Sequence, residues 1–211
     1  PCRMDRTALD DQARQLWDDA ADAWNAFVED GLDYYRTELH GPALLHACGE
    51  VRGREVVDLG AGQGWFVREL ARHGARVVGI EWSPRLVEHA RRSEREQPLG
   101  IRYEVADAAQ VASLIAPASV ELVTACMSMM DMPRPGDVLR GARQILAPGG
   151  RLVFSVPNPV TDSRHREWER DERGEKRALK LDGYFDAPAG LMQWNMTRLT
   201  QPFTTVQYRF T

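Results

Sequence analysis

The stretch VVDLGAGQGWF, residues 56–66, sets two β-branched residues and an acid in front of three evenly spaced glycines. A strand that ends in glycines and leads into a helix brings backbone N–H groups and a helix N-terminus close to a ligand. Open α/β folds hold nucleotides in this way at the carboxyl edge of the sheet. The stretch therefore predicts a nucleotide-binding loop.

The glycine spacing argues against a dinucleotide. A dinucleotide fingerprint needs G-x-G-x-x-G or G-x-G-x-x-A, whereas Gly60, Gly62 and Gly64 form G-x-G-x-G, and Trp65 stands where the third small residue belongs. Asp58 would also add negative charge beside a pyrophosphate, where negative charge has to be neutralised. This acid suits a cationic ligand better.

Strands and helices alternate on the C-terminal side of this loop. The predicted strands are REVVDL, ARVVGIE, IRYEVA, VELVTAC and RLVFSV, and the predicted helices cover residues 63–73, 84–96, 109–115 and 137–147. Runs of Val, Ile and Leu joined by helices indicate strands buried on both faces and right-handed crossovers. We expect an α/β fold, a doubly wound Rossmann-like and mostly parallel sheet with helices on both faces.

Helices precede the sheet, and a different kind of sequence follows it. Thr7 and Asp10 resemble a capping box, and apolar residues then recur at steps of three and four as far as Val28. A second helical stretch, DYYRTELHGPALLHACG, is interrupted at HGP. After the sheet, DSRHREWERDERGEKRALK has mixed charges, which favour a solvated hairpin or loop over a binding patch. PFTTVQYRF alternates as a strand does.

VVDLGAGQGWF resembles the D-x-G-x-G-x-G motif of the class I S-adenosylmethionine-dependent methyltransferases. VVGIEWSPRLVEHAR, YEVADAAQV, VELVTACMSMMDMP and ILAPGGRLVFSV are similar to the segments that follow that motif in the family, and all five occur in order over about residues 55–157. The closest similarity is to the small-molecule group around the ubiquinone and menaquinone methyltransferases. The resemblance implies a helical cap at 1–50, a cofactor-binding core at 51–157 and an acceptor-side insertion at 158–211.

The resemblance also implies which residues hold the amino-acid end of the cofactor. Glycine lets the loop approach this end closely, and the ammonium can donate hydrogen bonds to Asp58, directly or through water. Arg36 either meets the cofactor carboxylate or is a surface charge, and Tyr35 either folds over the cofactor or packs in its helix. The loop residues implicated are Gly60, Ala61, Gly62 and Gly64.

The nucleoside end would be held by the next two motif segments. Glu81 stands where the family has an acid that accepts hydrogen bonds from both ribose hydroxyls, and Asp107 with the amide of Ala108 would read the adenine edge. Trp82 either stacks on adenine or packs under the next helix. Met127 and the neighbouring methionines form either an adaptable apolar wall of the site or plain core.

The acceptor side is less well marked. His165 follows the fifth predicted strand and is the candidate general base, although a lone histidine in a charged loop is more often simply solvated. Asn158 and Tyr34 are the candidate substrate-binding residues. The place after the fourth strand reads ACMSMMDMP and lacks the D/N-P-P-Y/F signature of the family's nucleic-acid amino methylases. This difference argues against base methylation.

Composition excludes several other classes. The 27 Lys and Arg residues and 31 Asp and Glu residues give a net charge of −4, which disfavours a nucleic-acid partner. No apolar run is long enough to span a membrane, and no secretory leader is recognised, so we expect a cytoplasmic protein without a membrane partner. The three cysteines have no metal-ligand spacing, and the histidines form no cluster with carboxylates, so we expect no metal.

The sequence therefore predicts an enzyme that transfers a methyl group from S-adenosylmethionine to a nitrogen, oxygen or carbon atom of a small molecule, with S-adenosylhomocysteine as product. An inactive S-adenosylmethionine-binding regulatory module is the alternative, and an NAD-dependent oxidoreductase is disfavoured by the glycine spacing. The family fold continues beyond five strands, so we expect the closing strands to be missing. An uncovered sheet edge of this kind could pair with a second copy of the chain.

Overall fold

The computed structural model describes residues 6–158, 165–182, 190–194 and 203–207. Five strands form a parallel sheet: β1 (Glu55–Leu59), β2 (Arg76–Glu81), β3 (Arg102–Val105), β4 (Val120–Cys126) and β5 (Leu146–Ser155). The α-helices of the described chain are α1 (Arg6–Glu29), α2 (Gly41–Cys48), α3 (Trp65–Arg72), α4 (Pro84–Glu96), α5 (Val111–Leu114) and α6 (Pro135–Ile145).

The strand order is β3-β2-β1-β4-β5, with the first strand in the centre. Strands β2 and β3 are added on one side of β1, and β4 and β5 on the other. The connections therefore leave β1 and β4 in opposite directions, which opens a crevice at the carboxyl ends of these two strands. In this register Asp58 lies beside Gly79 of β2 and Thr124 of β4. The strand order thus brings the acid of the glycine motif to the crevice.

Apolar clusters pack on both faces of the sheet. Successive strand residues point to opposite faces, so Val56 belongs to the cluster with Leu70 of α3, and Val57 belongs to the cluster with Val138 of α6. Helices α3 and α4 thus cover one face, and α5 and α6 cover the other. This arrangement confirms the predicted doubly wound sheet.

The N-terminal helices lie against this core. Helix α1 meets α4 through polar pairs such as His89 Nε2 with Asp22 Oδ1 at 2.8 Å. A π-helix at Tyr35–His40 runs directly into α2, and the change of helix type falls at Gly41, within the predicted interruption. Single π-helical turns are frequent at functional sites.

The C-terminal part forms two separate antiparallel hairpins. Strands β6 (His165–Arg170) and β7 (Lys176–Asp182) confirm the hairpin predicted from the charge run. Strands β8 (Gly190–Trp194) and β9 (Phe203–Gln207) pair with each other, and β9 contacts α1 and a 3-10 helix at Met129–Asp131. Among the described strands, β5 pairs only with β4 and ends the parallel sheet.

Two predicted boundaries were wrong. Strand β5 begins at Leu146 instead of Arg151, because Leu146 already pairs with Val120 of β4, and residues 147–150 form an irregularity in the ladder before Arg151 pairs with Leu122. Helix α6 spans Pro135–Ile145, about two residues earlier than predicted, and proline stands at its first position, where its missing N–H costs nothing. In the described residues, no helix has the length and apolar character needed to cross a membrane.

Candidate functional site

A cavity of about 760 Å³, including its open mouth, lies at the carboxyl edge of the sheet. Residues that follow β1, β2, β3 and β4 line it, and α1 closes one side. Ten of the residues singled out in the sequence line this cavity: Arg36, Asp58, Gly60, Ala61, Gly62, Glu81, Trp82, Asp107, Ala108 and Met127. The strand ends therefore bring most of the candidate residues together in one place.

Asp58 lies at the bottom of the cavity with an exposed fraction of only 1%. The hydroxyl of Thr124 donates to its Oδ1 at 2.6 Å. The pKa of Asp58 is raised to about 7, mainly by burial; the Thr124 hydrogen bond acts against this rise, and the nearby charge of Glu81 adds to it. A cation bound beside Asp58 would favour the ionised carboxylate.

Glu81 ends β2 and has an exposed fraction of 5%. The backbone N–H of Gly62 donates to its Oε2 and the backbone N–H of Ser83 donates to its Oε1, each at 2.9 Å. Burial raises the pKa of Glu81, while these bonds lower it. A carboxylate has about four acceptor positions, so each oxygen can still accept one hydrogen bond from a ligand.

Two of the three glycines in the loop, Gly62 and Gly64, have different tasks. Gly62 has a φ of +57°, and a Cβ added there would meet no atom within 4 Å. It therefore leaves space at the cavity wall. Gly64 has a φ of +91°, and an added Cβ would collide with the hydroxyl of Tyr103. Gly64 does not line the cavity but lets α3 start close to β3.

The residues after β3 form a short polar network at the cavity mouth. Asp107 accepts a hydrogen bond from the amide of Ala109 at 2.8 Å and forms an ion pair with Arg134. Arg134 also lies 3.2 Å from Asp10 of α1. Trp82 lines both the main cavity and the shallow pocket beside this network. Asp107 is therefore held in place from two sides.

Arg36 is inside the site, and its interpretation as a surface charge is wrong. Its side chain is 12% exposed and forms an ion pair with Asp33 at 2.8 Å. The guanidinium also lies over two indole rings, 5.1 Å from the ring centre of Trp24 and 5.9 Å from that of Trp65. The aromatic faces and Asp33 fix this cation at the cavity wall.

Four other candidates are not among the described residues that line the cavity. Tyr34 and Tyr35 are 65% and 68% exposed, and their rings contact each other edge to face. Asn158 is exposed just after the fifth strand. His165 starts β6 opposite Asp182, but its side chain lies outside the described residues. These four therefore remain predictions.

Several cavity residues were missed by sequence reasoning. Trp17 and Trp24 were assigned only to an amphipathic helix, although their spacing of seven places them on one face of α1. Gln63 occupies an unspecified position of the glycine motif, so the motif gave no signal for it. Its Oε1 is buried and has no hydrogen-bond partner among the described residues. The other lining residues include Phe66, Ile80, Leu86, Ser128, Asp131 and Met132.

Cys126 also lines the cavity, at the end of β4. Its Sγ lies 3.8 Å from Nδ1 of His40. Burial raises the pKa of the Cys126 thiol to about 12, and burial together with the charge of Arg36 lowers the pKa of His40. Both groups are therefore neutral near pH 7. In the part of the chain that the structure describes, no group of three or more His, Cys, Asp or Glu side chains could hold a metal ion.

Comparison with known proteins links the cavity to one family. Residues 57–154 match the family described as methyltransferase domain. A ubiquinone biosynthesis O-methyltransferase from Coxiella burnetii is 31% identical over 109 residues, which cover 51% of this chain and 45% of that relative. The chain thus spans about half the length of the curated relatives it matches. The family match includes all four strand ends at the cavity and excludes α1.

Two solved structures are also similar. An S-adenosylmethionine-dependent methyltransferase from Mesorhizobium loti is 31% identical with a TM-score of 0.62, over 70% of this chain and 66% of that chain. A proposed S-adenosylmethionine-dependent methyltransferase from Listeria monocytogenes is 26% identical with a TM-score of 0.63, over 81% and 76% of the two chains. Both likenesses extend beyond the segment that matches the family model.

Proposed function

Because the chain belongs to the class I S-adenosylmethionine-dependent methyltransferase superfamily, we propose that it transfers a methyl group from S-adenosylmethionine to a small-molecule acceptor. The main observation behind the proposal is that four charged groups line one cavity. A guanidinium and three acids, Arg36, Asp58, Glu81 and Asp107, line the same space. A ligand with a carboxylate, an ammonium, a diol and a purine matches this set.

The residues fit the cofactor part by part. Asp58 and the unpartnered Oε1 of Gln63 can accept hydrogen bonds from the ammonium, and Arg36 can pair with the carboxylate. Glu81 offers one acceptor position on each oxygen to the two ribose hydroxyls. The open space at Gly62 gives the ligand room to approach the loop backbone.

S-adenosylmethionine, when bound, supplies an activated methyl group on a positively charged sulfur. The contribution of the protein is to hold the acceptor atom in line with this methyl group, because alignment alone can supply much of the acceleration. Apolar side chains at Phe66, Met127 and Met132 surround the space next to the charged groups. They suit an acceptor with an apolar body.

We infer that the acceptor atom is a hydroxyl oxygen. The support comes from the curated relatives, which are named as O-methyltransferases of ubiquinone biosynthesis. A hydroxyl has to lose its proton during transfer, and a base is needed for that step. His165 remains the candidate base and Asn158 a candidate for holding the acceptor, both within the proposed acceptor-side part at 158–211. Tyr34, in the N-terminal cap, remains the other candidate for holding the acceptor.

A transfer assay tests this function. The protein is incubated with S-adenosylmethionine labelled in its methyl group and with a panel of small hydroxylated aromatic compounds. We expect label in a small-molecule product and formation of S-adenosylhomocysteine. Tight binding of S-adenosylhomocysteine without any labelled product, from this panel or from a metabolite extract, would favour the regulatory-module alternative.

A further inference from the structure

Among the contacts between α1 and α4, the carboxylate of Asp18 is the one that meets the backbone at the N-terminus of α4. Oδ1 of Asp18 accepts a hydrogen bond from the hydroxyl of Ser83 at 2.7 Å and another from the backbone N–H of Arg85 at 3.0 Å. An anion at this end of a helix is favourable, because it meets unpaired N–H groups and the positive end of the helix dipole. Ser83 itself is fully buried.

The same serine also contacts the floor of the cavity. Its backbone N–H donates to Oε1 of Glu81 at 2.9 Å, and its hydroxyl accepts from the amide of Leu86 at 3.2 Å. Two hydrogen bonds therefore connect α1 to the carboxylate of Glu81 with one residue between them. Trp17, the neighbour of Asp18 in sequence, lines the cavity. The contact and an aromatic wall of the site thus belong to one turn of α1.

We propose that Asp18 is a positioning residue for the nucleoside end of the ligand: it fixes the Ser83 turn and thereby the carboxylate of Glu81. The inference rests on the proposed role of Glu81 in binding the ribose. Without Asp18, the serine hydroxyl and the Arg85 amide lose their common acceptor, and the turn that aims Oε1 of Glu81 is held from one side only. The matched family segment, residues 57–154, does not include α1, so the family match does not assign this role.

Isothermal titration with S-adenosylhomocysteine tests the role of Asp18. We expect Asp18→Ala to raise the dissociation constant about fivefold, the size typical of losing one capping interaction. Asp18→Asn should stay within about twofold of the parent protein, because its amide oxygen can accept both hydrogen bonds. Asp19→Ala is the matched control, since among the described residues the Asp19 side chain accepts its hydrogen bond from Gln15 within α1. An unchanged dissociation constant for Asp18→Ala would overturn the proposal.

A simple helix cap would produce the same loss by loosening the fold, so a second comparison separates the two roles. If Asp18 acts through Glu81, the effect of removing Asp18 depends on the ribose hydroxyls of the ligand. Asp18→Ala should therefore weaken binding of an S-adenosylhomocysteine analogue that lacks both ribose hydroxyls by less than about twofold. An equal penalty for both ligands contradicts the proposal and indicates a structural cap. The double variant with Glu81→Gln should likewise show no additional loss from Asp18→Ala. If Glu81→Gln alone binds as the parent does, the ribose role of Glu81 is wrong, and the proposed positioning fails with it.

Discussion

Replacing Glu81 with glutamine tests the cavity where its geometry is most constrained. Both carboxylate oxygens accept backbone hydrogen bonds, from Gly62 and Ser83 at 2.9 Å, and the residue is almost fully buried. Glutamine keeps the shape but has one acceptor oxygen, so its NH₂ group must face one of the two N–H groups. The substitution thus removes the charge and leaves a buried donor without an acceptor.

The magnitude follows from these contacts. Hydrogen bonds to a charged group contribute about 1.5–3 kcal/mol, so loss of the charge should raise the dissociation constant of S-adenosylhomocysteine roughly tenfold to hundredfold. The unpaired backbone donor should lower the free energy of unfolding by about 1–3 kcal/mol. Calorimetric titration measures the first quantity, and denaturant unfolding without ligand measures the second.

The control is Glu104→Gln on the neighbouring strand. Glu104 pairs in register with Ile80, one residue before Glu81, but its side chain forms only a partly exposed ion pair with Arg102 at 3.3 Å. Partly exposed ion pairs contribute little to stability, so Glu104→Gln should fold and bind S-adenosylhomocysteine as the parent protein does. Unchanged affinity in Glu81→Gln would refute the assignment of this carboxylate to the ribose.

Four further substitutions test the cavity and its glycine loop. The pKa of Asp58 is about 7 in the folded protein against an ordinary value of 3.8, so the unfolded chain loses this proton at a lower pH than the folded protein does. The contribution of Asp58 to the free energy of unfolding therefore falls as the pH rises between these two values. Asp58→Asn should make the free energy of unfolding less dependent on pH in thermal melts recorded across this range. In the parent protein, the affinity for S-adenosylhomocysteine should rise as Asp58 ionises near pH 7, and Asp58→Asn should abolish that rise. Gly62→Ala should weaken binding, because the new methyl group enters the open space where the ligand approaches, and the φ of +57° should add a folding cost of about 1 kcal/mol. Gly64→Ala should instead lower the unfolding free energy by about 1–3 kcal/mol through overpacking, as paired melts and titrations would measure. Asp107→Ala should raise the dissociation constant less than tenfold in the same titration, since water can replace part of the contact with an adenine edge. A hundredfold loss would contradict this.

The part of the site that lies on the sheet could be predicted from the sequence. Asp58, Glu81 and Asp107 each stand at or just after the end of a strand, and the carboxyl ends of parallel strands meet at one edge. Knowing the strands was therefore enough to bring these acids together. Gly64 was predicted as a loop residue at the cofactor, but in the structure it lies against Tyr103 of β3, a contact that a local pattern does not reveal.

The contribution of α1 could not be predicted. An amphipathic pattern reveals that a helix has an apolar face, but not which surface this face covers. The position of α1 depends on contacts between residues more than sixty positions apart, such as Asp18 with Ser83. Arg36 was ambiguous for the same reason, because its partners include Trp24 of α1 and Trp65 of α3.

The most direct test of the central claim is calorimetric titration of the unmodified chain with S-adenosylhomocysteine and, separately, with NAD. We predict saturable binding of one S-adenosylhomocysteine per chain and no measurable heat with NAD. The reason is that the cavity combines a buried acid for an ammonium with a glycine spacing unsuited to a pyrophosphate. Binding of NAD alone, with none of S-adenosylhomocysteine, would contradict it.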